Sequence, residues 1–286
     1  MIGILPATAL AVASPVLPGP VEAIPEPITI GEAYSFDALD AARQVNVILP
    51  PAYEAEPDRT WPVIYMLDGG MVQDIAMGIG IARWNAMWGR SADAIIVGLE
   101  TKDRQRELLP PTQDAAEAAR FPAAGESDRF RQWIAQQVKP LIESRYRHDG
   151  TAVLIGESAA GHFVMETWAD APDMFDGYAA ISPSLQWNGE GLSRRLAKAG
   201  ASPRPSLYLS LADEGGATET GMERALAAMG EGQAYCFSDR REDLRHATSL
   251  HGLLPEALQY LLPTEADWLE EYGLALRCDR QGQAAD

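Results

Sequence analysis

The 286-residue chain is 47% hydrophobic and 22% charged, ordinary proportions for a globular protein long enough for one large domain with a substantial core. Its 23 basic and 41 acidic residues give a formal net charge of −18, which argues against nucleic acid and anionic membrane as partners and disfavours polyanionic substrates unless the site holds local cations. Two cysteines and four histidines fit no metal-site spacing, and no glycine-rich phosphate loop precedes a helix, so we expect neither metal nor cofactor.

The first 23 residues are apolar, and the first basic residue is Arg43. Residues 1–28 read as a signal-like or disordered segment, with Ala11-Val-Ala13 or Val21-Glu-Ala23 as the small-residue cleavage site. The expected location is periplasmic or secreted, the alternative cytoplasmic. Cys236 and Cys278 could then pair if they meet in space. Beyond this segment no uncharged apolar stretch approaches the roughly 20 residues of a membrane span, and residues 29–286 read as one domain.

Residues 43–53 alternate as a strand and stop at Pro50-Pro51. Residues 61–67 form a second strand ending at Asp68-Gly69-Gly70, and residues 94–99 a third. Polar residues 101–125 read as a long loop. Ser127 can cap a helix over residues 128–147, with a kink at Pro140. Strands follow at residues 152–155, 178–181, 207–211 and 234–238, with helices at 159–168, 221–229 and 253–262 and a loop over 182–205. Strands alternating with helices predict an α/β fold with a mainly parallel central sheet and helices on both faces.

The central stretch joins the strand at 152–155 to the next helix through Gly156-Glu157-Ser158-Ala159-Ala160, close to the G-x-S-x-G nucleophile elbow, with Ala160 where the last glycine stands. A serine in so tight a turn presents its hydroxyl at a helix N-terminus, where N–H groups favour developing negative charge. The competing reading is an ordinary N-cap serine. A serine nucleophile needs a base and an acid to orient that base. Asp213-Glu214 follows the 207–211 strand and His246 follows the 234–238 strand, in the chain order serine, acid, histidine.

Several blocks resemble the esterase D-like α/β-hydrolases, a putative-esterase family whose branches include siderophore-trilactone esterases. They are Arg43-Gln-Val-Asn-Val-Ile-Leu-Pro-Pro-Ala-Tyr53, Pro62-Val-Ile-Tyr-Met-Leu-Asp-Gly69, residues 130–147, Ile181-Ser-Pro-Ser-Leu-Gln-Trp187 and His246-Ala-Thr-Ser-Leu-His-Gly252. The resemblance implies an α/β-hydrolase fold and a serine-dependent carboxylic ester hydrolase working through an acyl-enzyme, with Ser158, His246 and Glu214 catalytic and Asp213 the runner-up acid. It implies Gly70 and Ala159 as oxyanion donors, and His251 as a cap or packing residue. Arg104, Arg106, His162 and Trp187 are candidate substrate-binding residues, with Trp84 and Trp88 as further candidate walls and Arg120 as a further cation. The expected partner is a small-molecule ester; oligomeric state is left open. The alternatives are an acyltransferase on the same fold and a non-catalytic hydrolase-fold binding protein.

Overall fold

Every side chain from Trp61 to Leu67 is buried, as a strand covered on both faces requires. Val63, Tyr65 and Leu67 feed one apolar core, and Ile64 and Met66 another. The computed structural model describes residues 25–199 and 204–284. The chain divides into Met1–Ile30 and a compact unit, Gly31–Asp286, and the strands and helices of the described residues belong to the compact unit. Residues 1–24 of the signal-like segment lie outside the described residues.

In chain order come β1 (Glu32–Ala38), β2 (Ala41–Ile48), β3 (Trp61–Leu67), α1 (Ile75–Met87), β4 (Ile95–Leu99), α2 (Arg104–Leu108), α3 (Ala115–Arg120) and α4 (Ser127–Trp133). A π-helical segment (Ile134–Val138) leads into α5 (Lys139–Arg145), followed by β5 (His148–Glu157), α6 (Ala159–Asp170) and β6 (Gly177–Ile181). The chain continues with α7 (Trp187–Ala199), β7 (Ser206–Leu211), α8 (Gly216–Ala227), β8 (Tyr235–Asp239), α9 (Ser249–Leu261) and β9 (Arg280–Gly282). The sheet order is β1-β2-β4-β3-β5-β6-β7-β8-β9. The pairs from β4 through β8 are parallel, whereas β1–β2, β2–β4 and β8–β9 are antiparallel. One core packs α4, α6, α7 and α8 against the sheet through Phe130, Phe163, Leu192 and Met222; the other packs α1 and α9 through Ile75, Leu253 and Ala257.

The loop expected over residues 101–125 contains α2 and α3. Both are too short to show a helical period, and each starts on an aspartate cap: Asp103 accepts from Arg106 N, and Asp114 from Ala116 N and Glu117 N. The loop expected over 182–205 contains α7. Its apolar period is hidden because Asn188, Gly189 and Glu190 are left-handed before the helix proper begins. Ser127 is the first residue of α4 and not its cap, and the bend expected at Pro140 is taken up by the π turn that precedes it. The unassigned α1 is apolar nearly all round, so no amphipathic period marks it.

Two tertiary ties matter for what lies above the sheet. Buried Arg43 on β2 forms a bidentate pair with Glu107 on α2, at 2.8 and 3.1 Å, and lies within 6 Å of the Phe130 and Trp133 rings. Removing either charge would strand the other in the interior, at a cost of about 3–5 kcal/mol. The pair fixes α2, and with it Arg104, over the carboxyl ends of the strands. At the other edge Cys236 and Cys278 form a disulfide, tying the segment before β9 to β8.

Candidate active site

At the carboxyl end of β5 the chain reverses into α6 through a single residue, Ser158, whose φ is +61°. Such a backbone is strained for a residue with a Cβ. A Cβ on Gly156 would sit 2.7 Å from the Ala160 carbonyl, so glycine is required there. Ser158 N donates to Ile181 O at 3.0 Å, and Ser184 N donates to Ser158 O at 3.0 Å, which clamp the turn to the end of β6. Ser158 occupies the N-cap position, but its side chain makes no capping bond. Its Oγ instead donates to His246 Nε2 at 3.0 Å, and His246 Nδ1 donates to Glu214 Oε1 at 2.7 Å.

Glu214 lies just beyond the end of β7, and left-handed Gly215 and Gly216 after it turn the chain into α8. Burial pushes its carboxyl up, but the hydrogen bonds from His246 and Ser182 outweigh burial and hold it below the usual glutamate value. Asp213 does not reach the imidazole ring: it accepts from the His246 backbone N–H at 2.9 Å and pairs with Arg245. The two adjacent carboxylates thus divide the work, one holding the ring and the other the loop. The Glu214 bond raises the His246 pKa, burial opposes it, and the Glu157 charge adds to the rise.

A cavity of about 510 Å³ opens beside this line, walled by Asp68, Gln73, Asp74, Met77, Arg104 and Glu157, with His251 and Leu250 on the α9 side. Arg104 is already engaged. Its Nε donates to Asp68 Oδ2 at 2.7 Å and its Nη2 to the Glu157 carbonyl at 2.8 Å. Arg106, two residues on, projects from the opposite side of α2 and pairs with Asp40 and Glu126 outside the cavity. Arg120 lies against the Phe121 ring. His251 is exposed on the first turns of α9 and lines the cavity, where the sequence suggested a cap or packing role.

His162 and Trp187 do not line the Ser158 cavity. Both border a second depression of about 640 Å³, together with Pro110, Glu166 and Arg195. Trp187 is buried and donates through Nε1 to Pro110 O at 2.9 Å. His162 is buried behind the nucleophile turn; its Nδ1 donates to Ser184 O at 2.9 Å, and burial pushes its pKa down to about 4. Trp84 on α1 and Trp88, the residue capping its end, border neither depression and are partly exposed.

Of the expected oxyanion donors, Ala159 N is the first N–H of α6, a position with no intrahelical acceptor. Gly70 N, by contrast, donates to Gln73 Oε1 at 2.8 Å, and Gln73 Nε2 is held in turn by Thr101 at 2.9–3.0 Å. The Gly70 donor is therefore occupied by its own turn. Sequence reasoning missed Asp68, Gln73, Asp74 and Glu157 as wall residues. The first three lie in or just after the L-D-G block, and Glu157 immediately precedes the nucleophile, so adjacency to a motif was the available signal.

The sheet order, the strand–serine–helix turn and the line from Ser158 through His246 to Glu214 define an α/β-hydrolase. The family model described as "Putative esterase" matches residues 37–223, and the chain belongs to that family. The matched stretch carries Ser158 and Glu214 but stops before His246. The chain is 28% identical over 171 residues to the ferri-bacillibactin esterase BesA of Bacillus subtilis, covering 55% of this chain and 59% of that one. It is 27% identical over 176 residues to an apo-salmochelin esterase of Escherichia coli, covering 57% and 54%. The matches thus span a little over half the length of these curated relatives. Among solved structures, an IroE-like serine hydrolase from Shewanella oneidensis superposes with a TM-score of 0.69 at 21% identity, over 81% of this chain and 80% of that one.

Neutral, buried His162 makes stability depend on pH. The unfolded chain binds a proton at His162 near pH 6.5, whereas the folded protein resists doing so until about pH 4. Its contribution is complete above 6.5 and is lost as pH falls towards 4. Urea unfolding of wild type should therefore lose stability more steeply across that window than His162→Asn; parallel pH dependences would show that His162 is not buried neutral.

Proposed function

We propose that this protein is a serine-dependent carboxylic ester hydrolase. The observation that carries the reading is the continuous hydrogen-bonded line Ser158 Oγ, His246 Nε2, His246 Nδ1, Glu214 Oε1 at the mouth of a cavity. His246 removes the Ser158 proton as Oγ bonds to the ester carbonyl carbon, and Glu214 holds the imidazole in the tautomer that leaves Nε2 free to accept. The carbonyl oxygen takes the electron pair and is met by Ala159 N–H and, once Gln73 has moved, Gly70 N–H. The leaving oxygen departs with the proton from Nε2. Water, deprotonated by the same nitrogen, then releases the acyl group and restores Ser158.

A fluorophosphonate probe should label wild type and not Ser158→Ala, with unchanged circular dichroism. His246→Ala should lower turnover of a p-nitrophenyl ester by several orders of magnitude, and Glu214→Gln should be far more damaging than Asp213→Asn. Because the His246 pKa is raised, the acid limb of kcat/KM should lie above 6.5. Labelling of Ser158→Ala equal to wild type would refute the nucleophile assignment.

The relatives are named for siderophore esters, and that chemistry is carried here to the ester class alone. Among the described residues lining the cavity, Arg104 is the only arginine or lysine, and it faces Asp68, Asp74 and Glu157. Such a wall repels polyanions. We propose a preference for neutral or weakly charged esters, including iron-free trilactones over their ferric complexes. In an ester panel run at low and high salt, ferric trilactone should be the slower substrate and should speed up as salt screens the wall. Faster ferric cleavage that salt slows would overturn the preference.

We also propose export to an oxidising compartment, a reading supported by the Cys236–Cys278 disulfide. Mass spectrometry of protein from its native host should find a mature chain beginning near Ser14 or Ile24; an intact Met1 in the cytosol would refute it.

A further inference from the structure

Two oxygens converge on one nitrogen at the nucleophile. Ser158 Oγ is 3.0 Å from His246 Nε2, and Glu157 Oε1 is 3.2 Å from the same atom. Glu157 is the last residue of β5, and its carboxylate is only 16% exposed. Ser249 Oγ lies 3.3 Å from Oε1, its one proton shared with the nearer His246 carbonyl at 2.8 Å, and Arg104 Nη2 lies 3.6 Å from Oε2 while donating to the Glu157 carbonyl. The carboxylate is thus flanked by the first residue of α9 and by Arg104 of α2.

Its position suits one protonation state of the imidazole. Neutral His246 turns a lone pair towards Ser158 and offers an ionised carboxylate nothing. Once Nε2 carries the serine proton, the same carboxylate gains a charge-assisted hydrogen bond. We infer that Glu157 is a second counter-ion for His246, acting on Nε2 opposite the Glu214 bond to Nδ1, that stabilises the imidazolium formed when Ser158 is deprotonated. This rests on the proposed role of His246 as base. No bond in the reaction changes: the proton still passes from Ser158 Oγ to Nε2 and then to the leaving oxygen, and Glu157 keeps none of it.

The other titratable and charged groups around His246 are Glu214 after β7, Asp213 and Arg245 on its backbone side, Arg104 on α2, and Asp68, Asp74 and His251 around the cavity. Arg104 opposes the effect by lowering the His246 pKa, whereas Glu157 adds to the rise. Burial, with a smaller part from the neighbouring Asp74 charge, raises the Glu157 pKa above the usual glutamate value, and the His246 and Arg104 charges and the Ser249 hydrogen bond offset that rise only in part.

The test is Glu157→Gln, which keeps size and the Ser249 contact and removes only the charge. The His246 imidazole Cε1–H signal is titrated by proton NMR alongside the pH profile of kcat/KM on a p-nitrophenyl ester. Both should move to lower pH by about one unit, so that below the wild-type limb the variant retains roughly tenfold more of its own plateau rate. Glu157→Ala should move both in the same direction. An unshifted His246 titration in Glu157→Gln overturns the inference, and so does a shift in the alanine variant alone, which would mark a packing effect. A shifted titration with an unshifted rate profile supports the ion pair and overturns His246 as the base.

Discussion

The geometry of the site depends on one steric constraint, the approach of the α6 N-terminus to the carboxyl end of β5. Gly156 lies so close to Ala160 that no Cβ fits between them, and on α6 itself Gly161 lies so close to Ile181 O and Pro183 that a Cβ would come within 2.9–3.0 Å of them. These contacts leave Ser158 a left-handed backbone, and that strain is offset by the bonds to Ile181 and Ser184. A relaxed turn would let the hydroxyl swing down to cap α6. The tight one keeps it pointed at His246. The extra methyl of Ala160 is accommodated because it is buried against the glycine that has none.

Parallel strands then bring distant residues to that point. Ser158 follows β5, Glu214 follows β7, and His246 lies in the loop after β8, all at the carboxyl ends of the parallel strands. Chain segments far apart in sequence meet there because each crossover helix returns the next strand in the same direction. Asp68, after β3, joins them from the other side and holds Arg104. The Arg43–Glu107 pair fixes α2 from beneath, so a buried ion pair on an antiparallel strand determines where the arginine of the cavity stands.

The electrostatic character of the cavity follows from the same placements. Carboxylates from three elements converge on one guanidinium and one imidazole, and the guanidinium is consumed by fixed partners. Such a site stabilises positive charge on the imidazole, which is what a histidine base acquires during acyl transfer. The −18 charge of the whole chain reinforces locally what Asp68, Asp74 and Glu157 already establish.

The sequence determined what is local. Apolar runs at residues 61–67 and 207–211 and the pentapeptide around Ser158 could be read directly, because strand burial and turn sterics act over a few residues, and the order serine, acid, histidine came from the motif. Short α2 and α3 and the interrupted α7 escaped, since five or six residues show no period and left-handed residues hide one. The resemblance already put Glu214 ahead of Asp213, and the structure places Glu214 on the ring and Asp213 on the loop; tertiary structure alone decided why Arg104 faces the cavity while Arg106 does not. It also decided that His162 and Trp187 border a different depression, that Gln73 occupies the Gly70 donor, that Glu157 stands over Nε2, and that Cys236 meets Cys278. The physical reason is common to all of these. Each depends on side-chain direction at the meeting of segments tens of residues apart, set by sheet order and helix phase, and no spacing within one segment encodes it.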